Sequence, residues 1–486
     1  MASQAPGKVA DLLRGHGYHT DGVSEVLGTL EAPLESNRNL PRLLARSEPD
    51  SALKVLIRLF FLNVPVARTR VAQMLGEAAI RLLDEHGLIA ETDGRLLSDT
   101  HIFPFAGKLI ISHPTRHLAD PDADDHVLTV NPAAQHLYNF TLREPAATAL
   151  DLACGGGVQA LFLARHCERV VATDLNTRAV EFGRFNAALN GIDNVDWRVG
   201  DLFEPVRGER FDRIVCNPPF VLTPDRRYLY RDNPEDLDRL CQRIVAEAPA
   251  HLNEGGMMQM ILEWVELEGE DWRERLRGWF ADSGCDVWVF QQYRQTPDRY
   301  AQNRLQEMPA ASAAEDAETF GRWMEYYRRH GVVGMHSGLI VMRRRTAPAN
   351  WFEVEEVHDS PRTPFGDLVA QRFRNRDFLD REDWEAALLA SRPALAEHVR
   401  LVHECVQEEG EWRTLAIKLQ SARGMVRPVG VDGVVGQFLG GLHGRVALQQ
   451  SLEGLLGAVP ADPQSVQADC CRTLRFLLLK GLLEVI

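Results

Sequence analysis

The 486-residue chain is 45% hydrophobic and 25% charged, an ordinary globular composition rather than a disordered or fibrous one. Its 54 Lys and Arg stand against 69 Asp and Glu, a net charge of −15, which excludes an overall basic nucleic-acid coat but not a local basic patch. The eight Cys include no C-x-x-C pair, and the 16 His show no H-E-x-x-H or comparable spacing, so no metal site and no disulfide framework are expected. Residues 1–8 lack an apolar secretory core, and residue 2 is Ala rather than the Gly of a myristoylation signal. The most apolar runs, Leu56–Val64 and Leu477–Ile486, fall short of the ~20 residues that cross a bilayer. The expectation is a cytoplasmic protein with reduced thiols and no membrane partner.

Three regions separate by pattern. In residues 1–115, Ser51–Leu62, Val66–Leu75 and Ala78–Glu85 read as helices, and Leu88–Leu97 reads as a hairpin turning at Asp93-Gly94. Three helices followed by a hairpin is the order of a winged helix. The third helix carries Arg81, Asp84 and Glu85 with no surplus of positive charge, so packing is favoured over DNA reading. Residues 116–346 alternate strands with helices, which implies a parallel sheet with crossover helices. The strands are Thr148–Ala153, Arg169–Thr173, Val195–Val199, Phe211–Cys216, Gly256–Glu263, Asp286–Gln291 and Gly338–Arg343. Helices are expected at Gln159–His166, Arg178–Asn190 and Leu237–Ala248, and residues 292–336 form a helical cover containing Trp323, Tyr326 and Tyr327. Residues 306–316 and 344–350 read as loop and linker. Residues 347–486 read as mostly helical, with helices at Val446–Leu456 and Pro463–Leu479 and a closing strand at Leu482–Ile486, the order of a second winged-helix-like unit. The predicted fold is therefore α/β: a seven-stranded Rossmann-like sheet flanked by a winged-helix-like N-terminal domain and a mostly helical C-terminal domain.

The first strand runs into Asp151-Leu152-Ala153-Cys154-Gly155-Gly156-Gly157, where glycines allow a tight turn and close approach of backbone to a ligand. Gly155-x-Gly157-x-x-Ala160 also fits a dinucleotide fingerprint, and Asp174 closes the second strand where a carboxylate can accept from ribose hydroxyls. At that point a nicotinamide dehydrogenase and an S-adenosylmethionine (AdoMet) enzyme both fit. Asp151 would repel a pyrophosphate but accept from the cationic amino-acid end of AdoMet. Asp201, after the third strand, can accept from an adenine amine, with Leu202 or Phe203 against the ring. Asn217-Pro218-Pro219-Phe220 follows the fourth strand directly, and two prolines turn the chain out at the carboxyl edge. The Asn217 side-chain oxygen and the Pro218 carbonyl can then hold both N–H groups of a planar amine, while Phe220 offers a stacking face.

Asp151–Gly157, Asp174, Asp201 and Asn217–Phe220 together resemble the class I AdoMet-dependent methyltransferases of the amino-methylating group. Gly200–Pro205 and Asn217–Val221 look most like the release-factor glutamine methyltransferases and are similar to the small-subunit ribosomal RNA guanine-N2 methyltransferases. The resemblance spans roughly residues 127–345. It implies AdoMet as cofactor, held by Asp151, Cys154, Gly155, Gly157, Asp174, Asp201, Leu202 and Asn217. Asn217, Pro218 and Phe220 are implied as catalytic, with Pro219 and Arg226 also on the substrate. Asn131 sits where these families cover the methionine end. The implied substrate is macromolecular, a protein glutamine being favoured and an exocyclic base amine of RNA or DNA the alternative. Arg226, Arg227 and Arg231, interleaved with Tyr228 and Tyr230, are the residues that could grip phosphates in the second case.

Overall fold

The computed structural model describes residues 5–30, 39–119, 125–226, 228–308, 312–357, 363–456 and 462–485. Its centre is a mixed sheet of eight strands: β1 (Ala146–Leu152), β2 (Cys167–Asp174), β3 (Val195–Val199), β4 (Phe211–Cys216), β5 (Leu252–Leu267), β6 (Cys285–Gln295), β7 (Val332–Arg344) and β8 (Phe352–Glu356). They lie in the order β3-β2-β1-β4-β5-β7-β6-β8. β1 to β5 pair in parallel, and β7 runs antiparallel between β5 and β6. Runs such as Val170-Val171-Ala172 and Ile214-Val215-Cys216 are buried throughout, as strands covered on both faces require.

All seven strands expected from the sequence are present. An eighth joins them because Phe352–Glu356 pairs in parallel with Val287–Gln291. The compact unit therefore extends to Glu356, past the boundary expected at 346. Helices α1 (Val158–Leu163), α2 (Thr177–Leu189), α3 (Arg239–Glu247) and α4 (Trp272–Gly278) connect the strands. Between β6 and β7 stand α5 (Pro297–Gln306) and α6 (Ala313–Arg329). Ser312 and Glu315 form a reciprocal capping box that starts α6, so the loop expected over 306–316 is shortened; residues 309–311 lie outside the described residues.

The N-terminal residues belong to the same compact unit as the sheet. Helices Arg68–Leu75 and Glu77–Glu85 are inserted after the first strand of a three-stranded sheet in the order 66–67, 95–97, 90–92. The helix expected from Val66 begins at Arg68, because Val66 is buried in a strand paired with Leu96. The Asp93-Gly94 turn adopts the expected left-handed conformation, with φ of 52° and 71°. A further hairpin, His101–Phe105 and Lys108–Ser112, docks on α2 through side chains. Asn190 Oδ1 accepts from Leu109 N–H at 3.0 Å and from Arg14 at 3.0 Å, and its Nδ2 donates to the Leu109 carbonyl at 2.7 Å.

The second compact unit comprises Tyr138–Glu144 and Val357–Ile486. Its helices include Gly366–Leu379, Leu448–Leu456 and Pro463–Leu479, packed around Leu388, Leu439, Leu474 and Leu478. The closing strand is Leu483–Val485, and Ile486 lies outside the described residues. This unit is less helical than expected. Val399–Glu408 and Glu411–Ser421 form a long hairpin turning at Glu409-Gly410. Most of its residues are exposed, so the sequence lacks the apolar alternation that marks a half-buried strand. Among the described residues, no helix is long and apolar enough to cross a membrane.

Candidate active site

Strand register gathers the candidate residues. Leu152 pairs with Thr173 on one side and with Cys216 on the other, and Asp174 pairs with Val199. The next residues out are Ala153, Asp174, Asn217 and Gly200-Asp201, all at the carboxyl edge where ligands bind in such sheets. Adjacent strands lie about 4.8 Å apart, so Asn217 and Asp174, two strands from each other, are separated by about 10 Å across this edge. One cleft there is lined by Asn131, Asp151, Cys154, Gly155, Asp174, Asp201, Leu202, Asn217 and Pro219. Two of its non-glycine lining residues have left-handed backbones, Ala153 at φ 55° and Leu202 at φ 43°. Such strain costs about 1–3 kcal/mol per residue and gathers at functional sites.

Asp174 organises the glycine turn. Its Oδ2 accepts from Gly155 N–H at 2.7 Å and its Oδ1 from Asn176 N–H at 2.9 Å. A carboxylate holding two backbone amides keeps lone pairs for a ligand's hydroxyl groups. Asp151 is buried, and its Oδ2 accepts from Ala160 N–H at 2.7 Å in the first turn of α1. Burial pushes its carboxyl up to about 8 against that hydrogen bond. Asp201 is half exposed and faces Arg243 of α3, with N···O separations of 3.3 and 3.5 Å. Arg243 lines the same cleft and carries no sequence motif that would have marked it.

Asn217 is half-buried, and among the described residues nothing hydrogen-bonds its side-chain amide. That leaves its polar atoms free at the cleft edge. Pro219 lines the cleft beside it. Gly157, Pro218, Phe220 and Arg226, all expected at the ligand, lie off the lining. Gly157 is needed for packing: at φ 81°, a Cβ there would stand 2.2 Å from the Trp197 ring. Pro218 is buried and Phe220 packs on the core beneath the sheet. Arg226 faces Asp236 at 3.5 Å. Phe203 stacks on His251 with centroids 4.6 Å apart, which leaves Leu202 as the apolar side chain of that turn in the cleft. Arg231 is buried against Asp232 at 3.0 Å, and Arg227 lies outside the described residues.

Asn131 accepts from Ala134 N–H at 2.8 Å at the start of helix Pro132–Phe140, and Gln159 Nε2 donates to the Ala134 carbonyl at 2.9 Å. No spacing along the chain marks a nearby imidazole group, His113, His117 and His126, whose nearest ring nitrogens lie within 4.8 Å of one another. His113 and His117 stack with centroids 4.1 Å apart and planes 12° from parallel. Their ring planes meet only far from either ring, whereas ligation of one metal places it near both planes. Val127 N–H also donates to His113 Nδ1 at 3.0 Å, which occupies that lone pair. Burial lowers His113 to about 4 and His126 to about 3, so both rings are neutral at pH 7. As built, the trio is an aromatic wall completed by Phe182 and Tyr230.

Residues 129–271 match the family model described as Methyltransferase small domain, and residues 15–99 match a Domain of unknown function (DUF7059). A Release factor glutamine methyltransferase of Xylella fastidiosa is 35% identical over 159 residues, 30% of this chain and 55% of that protein. A Ribosomal RNA small subunit methyltransferase C of Alcanivorax borkumensis is 37% identical over 129 residues, 26% of this chain and 35% of that protein. The chain thus spans about half the length of the first relative and about a third of the second. Among solved structures, Trm5b from Pyrococcus abyssi is 18% identical with a TM-score of 0.31, covering 53% of this chain and 62% of its own. The sheet has the class I AdoMet-dependent methyltransferase fold. Within that class the matched segment is related to both the release-factor glutamine and the small-subunit ribosomal RNA enzymes.

Proposed function

We propose that this protein is an AdoMet-dependent N-methyltransferase acting on a planar amino nitrogen of a macromolecule, and that the acceptor is a protein glutamine side chain. The observation that carries the reading is the unpartnered Asn217 amide, placed by register about 10 Å along the carboxyl edge from Asp174. The acceptor set suits the cofactor: Asp174 for the ribose hydroxyls, Asp201 for the adenine amine with Leu202 beside the ring, and Asp151 towards the cationic amino-acid end. Gly155, at φ 52°, has no heavy atom within 4 Å of the place a Cβ would take, so backbone is open to a ligand there. AdoMet, when bound, supplies an electrophilic methyl group on a sulfonium.

The chain's own work is positional. The Asn217 Oδ1 accepts one N–H of the acceptor and the Pro218 carbonyl the other, which leaves the nitrogen lone pair free to attack. No strong general base is needed, because the nitrogen sheds its proton after the methyl arrives. Orientation of this kind supplies roughly 7–11 kcal/mol of a barrier.

A protein acceptor is favoured over a polyanion by the state of the arginines. Arg231 is buried on Asp232, and Arg226, though exposed, has an acidic neighbour in Asp236 at 3.5 Å, so this loop presents little net positive charge to a phosphate. The relation to the ribosomal RNA enzyme keeps an exocyclic base amine as the second reading. Transfer of tritiated methyl from AdoMet into the lysate of cells lacking this chain, followed by protease or nuclease digestion, tests both. Label released by protease as N5-methylglutamine supports the first reading, label released by nuclease the second, and no transferred label refutes both.

A further inference from the structure

We propose that Tyr300 and Tyr327, one from each helix of the insertion between β6 and β7, are positioning residues that hold the Asn217–Phe220 corner in its working shape through Leu222. The inference rests on the reading of that corner as the acceptor site.

β4 ends at Cys216, so the backbone beyond the two prolines has no ladder to satisfy it. Val221 bridges to Asp232, closing residues 221–232 into a loop. The next residue, Leu222, is buried and gives both backbone groups to tyrosine hydroxyls distant in sequence. Its N–H donates to Tyr300 Oη at 2.9 Å, and its carbonyl accepts from Tyr327 Oη at 2.8 Å. Both tyrosines are buried. A phenol both accepts and donates. Tyr300 therefore accepts from the Leu222 N–H and donates its own O–H to Glu263 Oε2 of β5, at 2.5 Å. Arg304, one turn further along α5, pairs with the other Glu263 oxygen.

The same two helices hold the rest of the loop. Asp225 accepts from Trp323 Nε1 and from Arg322 Nη1, each at 2.8 Å. Arg231 donates to the Arg304 carbonyl at 3.0 Å, and Leu237 N–H donates to Tyr326 Oη at 3.1 Å. The insertion is thus a brace behind the corner. It sets the positions of Leu229 and Tyr230, which reach the cleft from the loop's far side. Asn217 can aim an acceptor only while the chain five residues later stays fixed.

Tyr300→Phe and Tyr327→Phe in the full chain remove the hydroxyls and keep the rings. Three quantities are read: AdoMet affinity by calorimetry, hydrogen exchange of the segment 217–232, and turnover of tritiated methyl into the lysate of cells lacking this chain. Both variants should bind AdoMet within twofold of the unmodified protein. Exchange of 217–232 should be at least about tenfold faster, and kcat about 10–100-fold lower, since displacements near 1 Å cost this much. Tyr300→Phe strands the Leu222 N–H and can loosen the fold. Tyr327→Phe withdraws one donor from a carbonyl and carries the test if the first variant unfolds. Retained turnover in Tyr327→Phe, or unchanged exchange of 217–232, overturns the proposal. If the unmodified protein labels nothing, the methyltransferase reading fails, and exchange in the variants alone decides whether the tyrosines brace the loop.

Discussion

Replacing Asn186 by alanine would cut a link between the N-terminal hairpin and the glycine turn. Asn186 is buried in α2, and its amide is used on three sides. Oδ1 accepts from Ile111 N–H at 2.7 Å, and Nδ2 donates at 3.0 Å to the carbonyls of Ile111 and of Gly156. Alanine leaves the buried Ile111 N–H without its acceptor, at about 1–3 kcal/mol, and removes two further bonds at about 0.5–1.5 kcal/mol each. The sum, about 2–6 kcal/mol, is a large share of the 5–15 kcal/mol by which proteins are usually stable. Water entering the gap would bring the loss towards its lower end, and at about 1–2 °C per kcal/mol for a unit of this size Tm should fall by about 2–6 °C. Scanning calorimetry measures this, and titration of the same protein with AdoMet should show weaker binding because Gly156 has lost its restraint. A Tm within about 1 °C of the unmodified protein, with unchanged AdoMet affinity, would refute the coupling.

Asp174→Ala should weaken AdoMet by at least about 100-fold, the low end of two hydrogen bonds to a charged group at about 1.5–3 kcal/mol each; calorimetric affinity within twofold would mean the ribose is held elsewhere. Asn217→Ala should leave AdoMet affinity within a few-fold but lower turnover by about 100–1000-fold, as loss of one preorganised polar group does. Unchanged turnover would count against the amine clamp. For Asp151, burial lifts the folded-state carboxyl from 3.8 to about 8, so the folded state binds the extra proton across that interval. Its contribution to stability is therefore fully present below about pH 4, falls as pH rises towards about 8, and is level beyond, with a slope of at most ~1.4 kcal/mol per pH unit. Denaturant unfolding of Asp151→Asn and of the unmodified protein between pH 5 and 9 should converge or cross as pH rises; a pH-independent difference would show that the carboxyl is not held protonated.

Much of the large sheet and its carboxyl edge was legible in the sequence, because the signals there are local. Buried strands such as Ile214–Cys216 are continuous apolar runs, and the glycines and prolines that end β1 and β4 announce their turns within a few residues. The tertiary structure decided what depends on partners far along the chain. Phe352-Glu353-Val354-Glu355-Glu356 is too short and polar to read as a sheet strand until β6 offers it a ladder. Phe220 and Gly157 read as ligand contacts in a motif, and the fold adds that Phe220 also packs against the core and that Gly157 makes room for Trp197. Tyr300 and Tyr327 act on Leu222 from 78 and 105 residues away, and Asn186 reaches Ile111 across 75. Which polar groups stand at the strand ends can be read along the chain, since that follows from local turns. Only the folded chain decided which of those groups reach the cleft and what holds them there, because buried hydrogen-bonding groups must find partners wherever packing brings them.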